Sequence, residues 1–154
     1  MKIALGADHA GYQLKDQIKQ HLAAKGFELR DEGTSSPESV DYPDFARAVA
    51  HDVSERHADL GILVCGSGIG MAIAANKVDG IRAANVTSQL EAQLSREHNN
   101  ANVLALGARI LQPEEALRIV DTWLATPFAG GRHERRVEKI AAIEKEERSP
   151  AEKA

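Results

Sequence analysis

The feature that most constrains this chain is an alternation. Short apolar runs of strand length, at about Lys2–Ala7, Phe27–Asp31, Leu60–Val64, Arg82–Val86 and Val103–Leu106, are separated by segments whose apolar residues recur at helical spacing. Strands that are apolar on both faces must be covered on both faces, and a chain that returns through a helix each time lays them parallel. The pattern predicts an α/β chain with five parallel strands. Its helices fall at about Tyr12–Lys25, Pro43–Arg56, Ile69–Lys77, Ser88–Glu97, Pro113–Leu124 and Arg132–Glu146. In the first, Leu14, Ile18 and Leu22 lie four apart and Gly26 supplies the stop.

A chain of 154 residues, with no internal repeat and no Pro/Gly/Ser-rich linker, reads as one domain over 1–146 and a mobile tail over 147–154. No run of apolar residues approaches a membrane span and the start "MKIALGADHAG" is not leader-like, so a soluble, cytoplasmic protein with no membrane partner is expected. The net charge of −4 argues against a nucleic-acid partner, because phosphate-backbone affinity is built from clustered Lys and Arg. The one compact basic cluster, Arg132, His133, Arg135 and Arg136, suits a single small phosphate better than a polymer.

Doubly wound sheets bind ligands beyond the carboxyl ends of their strands. Here that rim carries Asp8 and His9, Gly33 and Thr34, Cys65 to Gly70, Thr87 and Ser88, and Gly107 to Arg109. Its most unusual stretch is "VCGSGIGM", in which the chain's only cysteine precedes Gly66, Gly68 and Gly70. A lone cysteine forms neither an internal disulfide nor a Cys-Cys metal pair, so Cys65 is core filler or chemistry. The loop is not a dinucleotide cradle, since it follows the third strand and has Met71 where the last glycine belongs. No Gly-Lys-Ser/Thr closes it as a phosphate-binding nucleotide loop, and no arginine follows it as in phosphatase cysteine loops. What remains is backbone: alternating glycines turn N–H groups toward one point and the helix from Ile69 adds its positive end, which suits a phosphate or a developing oxyanion. The same donors favour a thiolate. A tight strand-to-helix turn with a buried thiol is the plainer alternative.

Other rim groups also have two readings. Asp8 is either a helix cap or an acid in the site, with His9 beside it. Ser67 orients the thiol or donates to an oxyanion, or is a small turn residue. Tyr42 in "DYPDF" reaches a substrate hydroxyl, or packs before Pro43. His98, ahead of Asn99 in "SREHNNANV", is a plain surface residue or a proton carrier for a sugar ring oxygen. Arg132 and Arg136 lie four apart on one helix face, where they either grip a phosphate or pair with Glu134 and Glu138.

The ordered stretches "ALGADHAG", "DEGT", "DYPDFA", "VCGSGIGMAIAANK", "GIRAA", "LSREHNNANVLALGAR" and "GGRHERRVEKI" resemble the type B ribose-5-phosphate isomerases and the related galactose-6-phosphate isomerase subunits. The resemblance spans nearly the whole chain up to the last helix. It implies a three-layer α/β/α, Rossmann-like five-stranded parallel sheet, a homodimer with sites at the interface and the option of a higher oligomer, and no cofactor or metal. The implied reaction interconverts ribose 5-phosphate and ribulose 5-phosphate. By that likeness His98 opens the sugar ring, with Asp8 assisting, Cys65 moves the proton between carbons 2 and 1, and the Gly66–Gly70 loop with Ser67 holds the enediolate oxygen. The phosphate falls to Arg132, Arg136 and His9 with help from Arg109, and Tyr42 and Asn99 contribute to sugar binding. Some family members replace the cysteine and carry a glutamate just past the glycine loop; Met71 stands there in this chain. The segment Asn85–Gln93 is less like the family and is expected to line the sugar end. An isomerase of a six- or four-carbon sugar phosphate, or a non-catalytic phosphate-binding domain, are the competing readings.

Overall fold

A computed structural model describes residues 1–148. Five strands, β1 (Lys2–Ala7), β2 (Glu28–Asp31), β3 (Leu60–Cys65), β4 (Ala83–Asn85) and β5 (Val103–Gly107), form one parallel sheet in the order β2-β1-β3-β5-β4. Six helices join and flank them: α1 (Tyr12–Ala24), α2 (Tyr42–Ser54), α3 (Ile69–Ala75), α4 (Gln89–Asn99), α5 (Pro113–Ala125) and α6 (Arg132–Glu146). The three-layer, doubly wound arrangement is the one the alternation predicts.

The period-2 geometry of the strands divides the core into two layers. Ile3, Leu5, Ile62, Val64, Leu104 and Leu106 face α1, α4 and α5, where Ile18, Leu22, Ile119 and Trp123 are wholly buried. Ala4, Leu63, Cys65, Val103 and Ala105 face α2 and α3, against Val49, Ala50, Met71 and Ala75. Small residues on this second face let α2 come close: a Cβ on Gly61 or Gly6 would meet Val49 at 2.6 or 2.8 Å. Cys65 thus lies on the thinner, tighter side.

β4 is shorter than the expected Arg82–Val86. Its outer edge is closed at Ala83, whose N–H and C=O both pair with the side-chain amide of Asn76 at 2.7 and 3.0 Å. Such a block ends strand pairing at an edge that would otherwise invite it. α6 has no buried residue and lies outside the layers. Its start sits near α4, and its end is tied to the loop before β4, by Gly80 N–H to Glu144 at 2.9 Å and Arg148 to Asp79 at 2.7 Å. The part of the expected tail beyond Arg148 lies outside the described residues.

Candidate active site

β3 delivers Cys65 to the carboxyl rim of the sheet, and the chain turns there over three residues before α3 begins. The turn is tight because the backbone crosses β5: a Cβ on Gly107 would lie 2.6 Å from the carbonyl oxygen of Ser67. Gly68 caps α3 with φ of +83°, a left-handed conformation that glycine adopts at least cost. In this conformation its N–H donates to Cys65 Sγ at 3.1 Å. Sulfur as acceptor is a role that thiolate fills better than thiol.

Around the thiol is an open cavity of about 620 Å³ lined by Asp8, Tyr42, Gly66, Ser67, Gly70 and Arg109, with Ile69, Ile73 and Ile110 at its margin. The Tyr42 ring rests where a Cβ on Gly70 would stand, 2.5 Å from its nearest carbon, so this glycine is needed for contact as well as turning. The Arg109 guanidinium lies across Gly66, 3.2 Å from where a Cβ would be. Asp8 is buried and its Oδ1 accepts from the N–H groups of Ala10 and Gly11 at 2.9 and 3.0 Å, while its Oδ2 has no partner among the described residues. It therefore shapes the turn into α1 and also presents an acid to the cavity. Ser67 Oγ accepts from Ile69 N–H at 3.2 Å and keeps its own proton to donate elsewhere. His9 Nδ1 accepts from Val40 N–H at 3.2 Å, which makes Nε2 the protonated nitrogen of the neutral ring. A larger groove of about 870 Å³, between α2, α3 and the end of α6, contains no thiol and no buried acid among the described residues.

The remaining predicted site residues are elsewhere. α4 runs back against the strand direction, so His98 and Asn99 at its end lie at the amino rim, ahead of β5. Cys65 is paired in register with Gly107 at the other end of that strand, roughly 13 Å away along β5 at 3.3 Å per residue. Beside His98 are the first residues of α6: the rings of His98 and His133 stack with centroids 4.2 Å apart and planes at 14°. Ala129 N–H donates to Glu97 C=O at 3.1 Å and holds the preceding loop against α4. His133 is held below the usual histidine range, first by partial burial and then by His98, Arg132 and Arg136. Among the described residues neither Arg132 nor Arg136 pairs with Glu134 or Glu138, in contrast to Arg148, which is engaged by Asp79. The expected site residues thus fall into two groups on opposite rims of one chain.

The segment Asn85–Gln93 does not line the cavity. Ser88 caps α4 by accepting from Glu91 N–H, Thr87 bonds Glu91, and Gln89 bonds Thr122. Only Asn85 approaches the loop, from beneath. The structure adds to the expected residues Ile69, Ile73 and Ile110, which are 54, 58 and 55 % exposed beside the thiol. Half-exposed isoleucines at helical spacing, on a rim read as polar, are the available signal. No group of three or more His, Cys, Asp or Glu side chains able to hold a metal occurs among the described residues.

Known proteins share this arrangement. A family model described as Ribose/Galactose Isomerase matches residues 3–140. Ribose-5-phosphate isomerase B of Escherichia coli is 52 % identical over 143 residues, covering 93 % of this chain and 96 % of that protein. The ribose-5-phosphate isomerase B structure from Clostridium thermocellum superposes with a TM-score of 0.94 at 55 % identity, covering 95 % of this chain and 99 % of that one. The Mycoplasma genitalium enzyme, solved with bound ribulose 5-phosphate, superposes with a TM-score of 0.91 at 47 % identity over 94 % of this chain and 97 % of that one. On sequence and structure together, the chain belongs to the ribose/galactose isomerase family.

Proposed function

We propose that the protein is an aldose–ketose isomerase that interconverts ribose 5-phosphate and ribulose 5-phosphate through an enediolate. The observation that carries this reading is the thiol of Cys65 at the floor of an open cavity with the Gly68 N–H directed at its sulfur. Cys65 takes the proton from carbon 2 of the open-chain aldose and, after partial exchange with solvent, delivers a proton to carbon 1, while the hydroxyl proton of carbon 2 passes to the oxygen of carbon 1. Charge builds on the oxygens of carbons 1 and 2, and the Gly66–Gly70 backbone with the Ser67 hydroxyl offers donors to it. One preorganised donor of this kind is typically worth about 2.7–4 kcal/mol. A weak base is sufficient only where that charge is held.

Ring opening requires a group that moves a proton to or from the ring oxygen, and His98 is assigned this task with Asp8 assisting. Arg132, Arg136, His9 and Arg109 bind the phosphate, the guanidiniums offering planar paired donors. Tyr42 and Asn99 contact the sugar. Since Cys65 and His98 stand on opposite rims, this division of labour needs a second copy of the chain. In the proposed homodimer the His98–Arg132–Arg136 cluster of one copy completes the Cys65 cavity of the other, and Ile69, Ile73 and Ile110 are covered by the contact. Residues 1–146 act as a single domain in this assembly. A free catalytic thiol suits a reducing, cytoplasmic setting.

The relatives named for ribose 5-phosphate, one of them holding ribulose 5-phosphate, favour the pentose over longer or shorter sugars. Measuring kcat/KM for four-, five- and six-carbon aldose phosphates tests this. Ribose 5-phosphate is expected to lead; a higher value for another length would reassign the substrate, and no turnover of any would overturn the enzymatic reading.

A further inference from the structure

We infer that Asn85 is a positioning residue for the thiol, acting through the single peptide unit between Ser67 and Gly68. The inference rests on the reading of Cys65 as the base. Asn85 is the last residue of β4, paired in register with Ala105. Its Nδ2 donates to the carbonyl of Ser67 at 3.3 Å and to that of Ala105 at 3.1 Å. Both neighbours are carbonyl oxygens, so the donor end of the amide must face them.

The carbonyl of Ser67 and the N–H of Gly68 belong to the same planar trans peptide and point in opposite directions. At the carbonyl edge of that peptide stands Asn85 Nδ2, and at the opposite, N–H edge Cys65 Sγ, which accepts from the Gly68 N–H at 3.1 Å. Fixing the carbonyl therefore fixes the donor on sulfur. The fixing matters because this peptide can turn over by changing ψ of Ser67 and φ of Gly68, and glycine tolerates either sign of φ. A bond to the carbonyl also polarises the peptide and strengthens its N–H as a donor. The second bond, to Ala105, anchors the amide to the central part of the sheet, so the loop is referenced to β5 and not to a mobile side chain. No other side chain is bonded to this carbonyl among the described residues.

Cys65 is the only cysteine, so alkylation of the full-length assembled protein by iodoacetamide reports on it alone. Asn85→Ala removes the clamp, and Asn85→Asp keeps its shape but replaces the donor with an oxygen that repels the Ser67 carbonyl. Once the carbonyl is free the Gly68 N–H is no longer held on the sulfur, and a charge-assisted hydrogen bond lost at the reacting atom is worth about tenfold in rate. The expected result is an alkylation rate at pH 7 about tenfold lower in Asn85→Ala and lower still in Asn85→Asp, with rates at pH 10 equal to the parent's. Thermal melts verify that each variant is folded at the assay temperature, and Asn85→Gln, which can still donate, is expected to recover part of the pH 7 rate. Equal pH 7 rates in parent and both variants, or equal losses at pH 7 and pH 10, would overturn the inference. Either outcome leaves the isomerase reading to its own test, because the parent's turnover is measured without these variants.

Discussion

The backbone N–H of Gly68 donates to Cys65 Sγ at 3.1 Å, three residues on along the turn that joins β3 to α3. The bond joins a buried strand end to a helix start and leaves the sulfur facing a cavity that also holds Asp8 and Ser67. General-base contributions are typically about 10²- to 10⁴-fold. Cys65→Ala is therefore expected to lower kcat for ribose 5-phosphate by about 10²- to 10⁴-fold with KM changed little, as steady-state kinetics would record. A proportionate rise in KM would place the thiol in binding instead.

Gly68 has no room for a side chain. Its φ is +83°, and a Cβ would press on Asn85 Nδ2 and on the Leu106 backbone at 2.9 Å. Gly68→Ala should cost about 1–3 kcal/mol of stability from backbone strain alone and reduce kcat with it. Chemical denaturation measures the first and kinetics the second. Unchanged values for both would mean that the turn relaxes freely.

Much of this architecture follows from local pattern. The strand Lys2–Ala7 agrees with its expected bounds because an apolar run between polar residues leaves little choice, and α6 is marked by Gly131 and by the charged helix after it. The apolar pattern overstates β4 because the Asn76 amide that closes it is seven residues upstream, beyond any local signal. At the candidate site, Cys65, Ser67 and the glycines are legible since one loop carries them all. The separation of His98 from Cys65 depends on strand direction and helix return, and the stacking of His133 on His98 depends on the path of α6, which tertiary contacts set. Asn85 is expected near the sugar; it is under the loop because β4 pairs with β5 in a register that the sequence does not display.

The proposed dimer, with Cys65 and His98 supplied by different chains, predicts complementation. Cys65→Ala and His98→Ala should each be strongly impaired alone. A dimer with one chain of each kind contains one site with both groups intact and one with neither. Equal mixing after dissociation gives roughly half mixed dimers, so activity should return to roughly a quarter of the parent's level if chains pair at random. Failure to recover activity, with exchange of chains verified by mass, would place both groups in one protomer's site.

Arg132 and Arg136 have no carboxylate partner on α6 among the described residues, and Arg136→Ala should raise KM far more than Cys65→Ala does. The loss of a charge-assisted contact to phosphate corresponds to about 1.5–3 kcal/mol, or roughly ten- to more than a hundredfold. Steady-state kinetics with ribose 5-phosphate checks this, and an unchanged KM would remove Arg136 from the phosphate site.

Stability should carry a pH signature away from the site. Asp52 on α2 is buried, its Oδ2 has no partner among the described residues, and its Oδ1 lies 3.3 Å from Arg30. Burial first, and then the neighbouring Glu32, push its pKa up to about 6, against the opposing pull of Arg30 and His57. A pKa raised on folding means that the fold favours the protonated acid. The resulting stability is fully present below the unfolded value near 3.8 and is lost as pH rises through about 6. The substitution Asp52→Asn supplies a neutral amide that keeps a donor toward Glu32 and does not titrate. The stability of Asp52→Asn relative to the parent should therefore rise between pH 4 and pH 7, as urea denaturation at both would show; a constant difference would contradict the assignment.

Transfer of the proton between the carbons of the enediolate is assigned to Cys65. Proton NMR of ribose 5-phosphate with the protein in deuterated water tests it most directly. The parent protein is expected to give ribulose 5-phosphate with deuterium at carbon 1, and Cys65→Ala at the same concentration to form product and label about 10²- to 10⁴-fold more slowly. Undiminished product and label with the alanine variant would contradict it, since the proton would then move without the thiol.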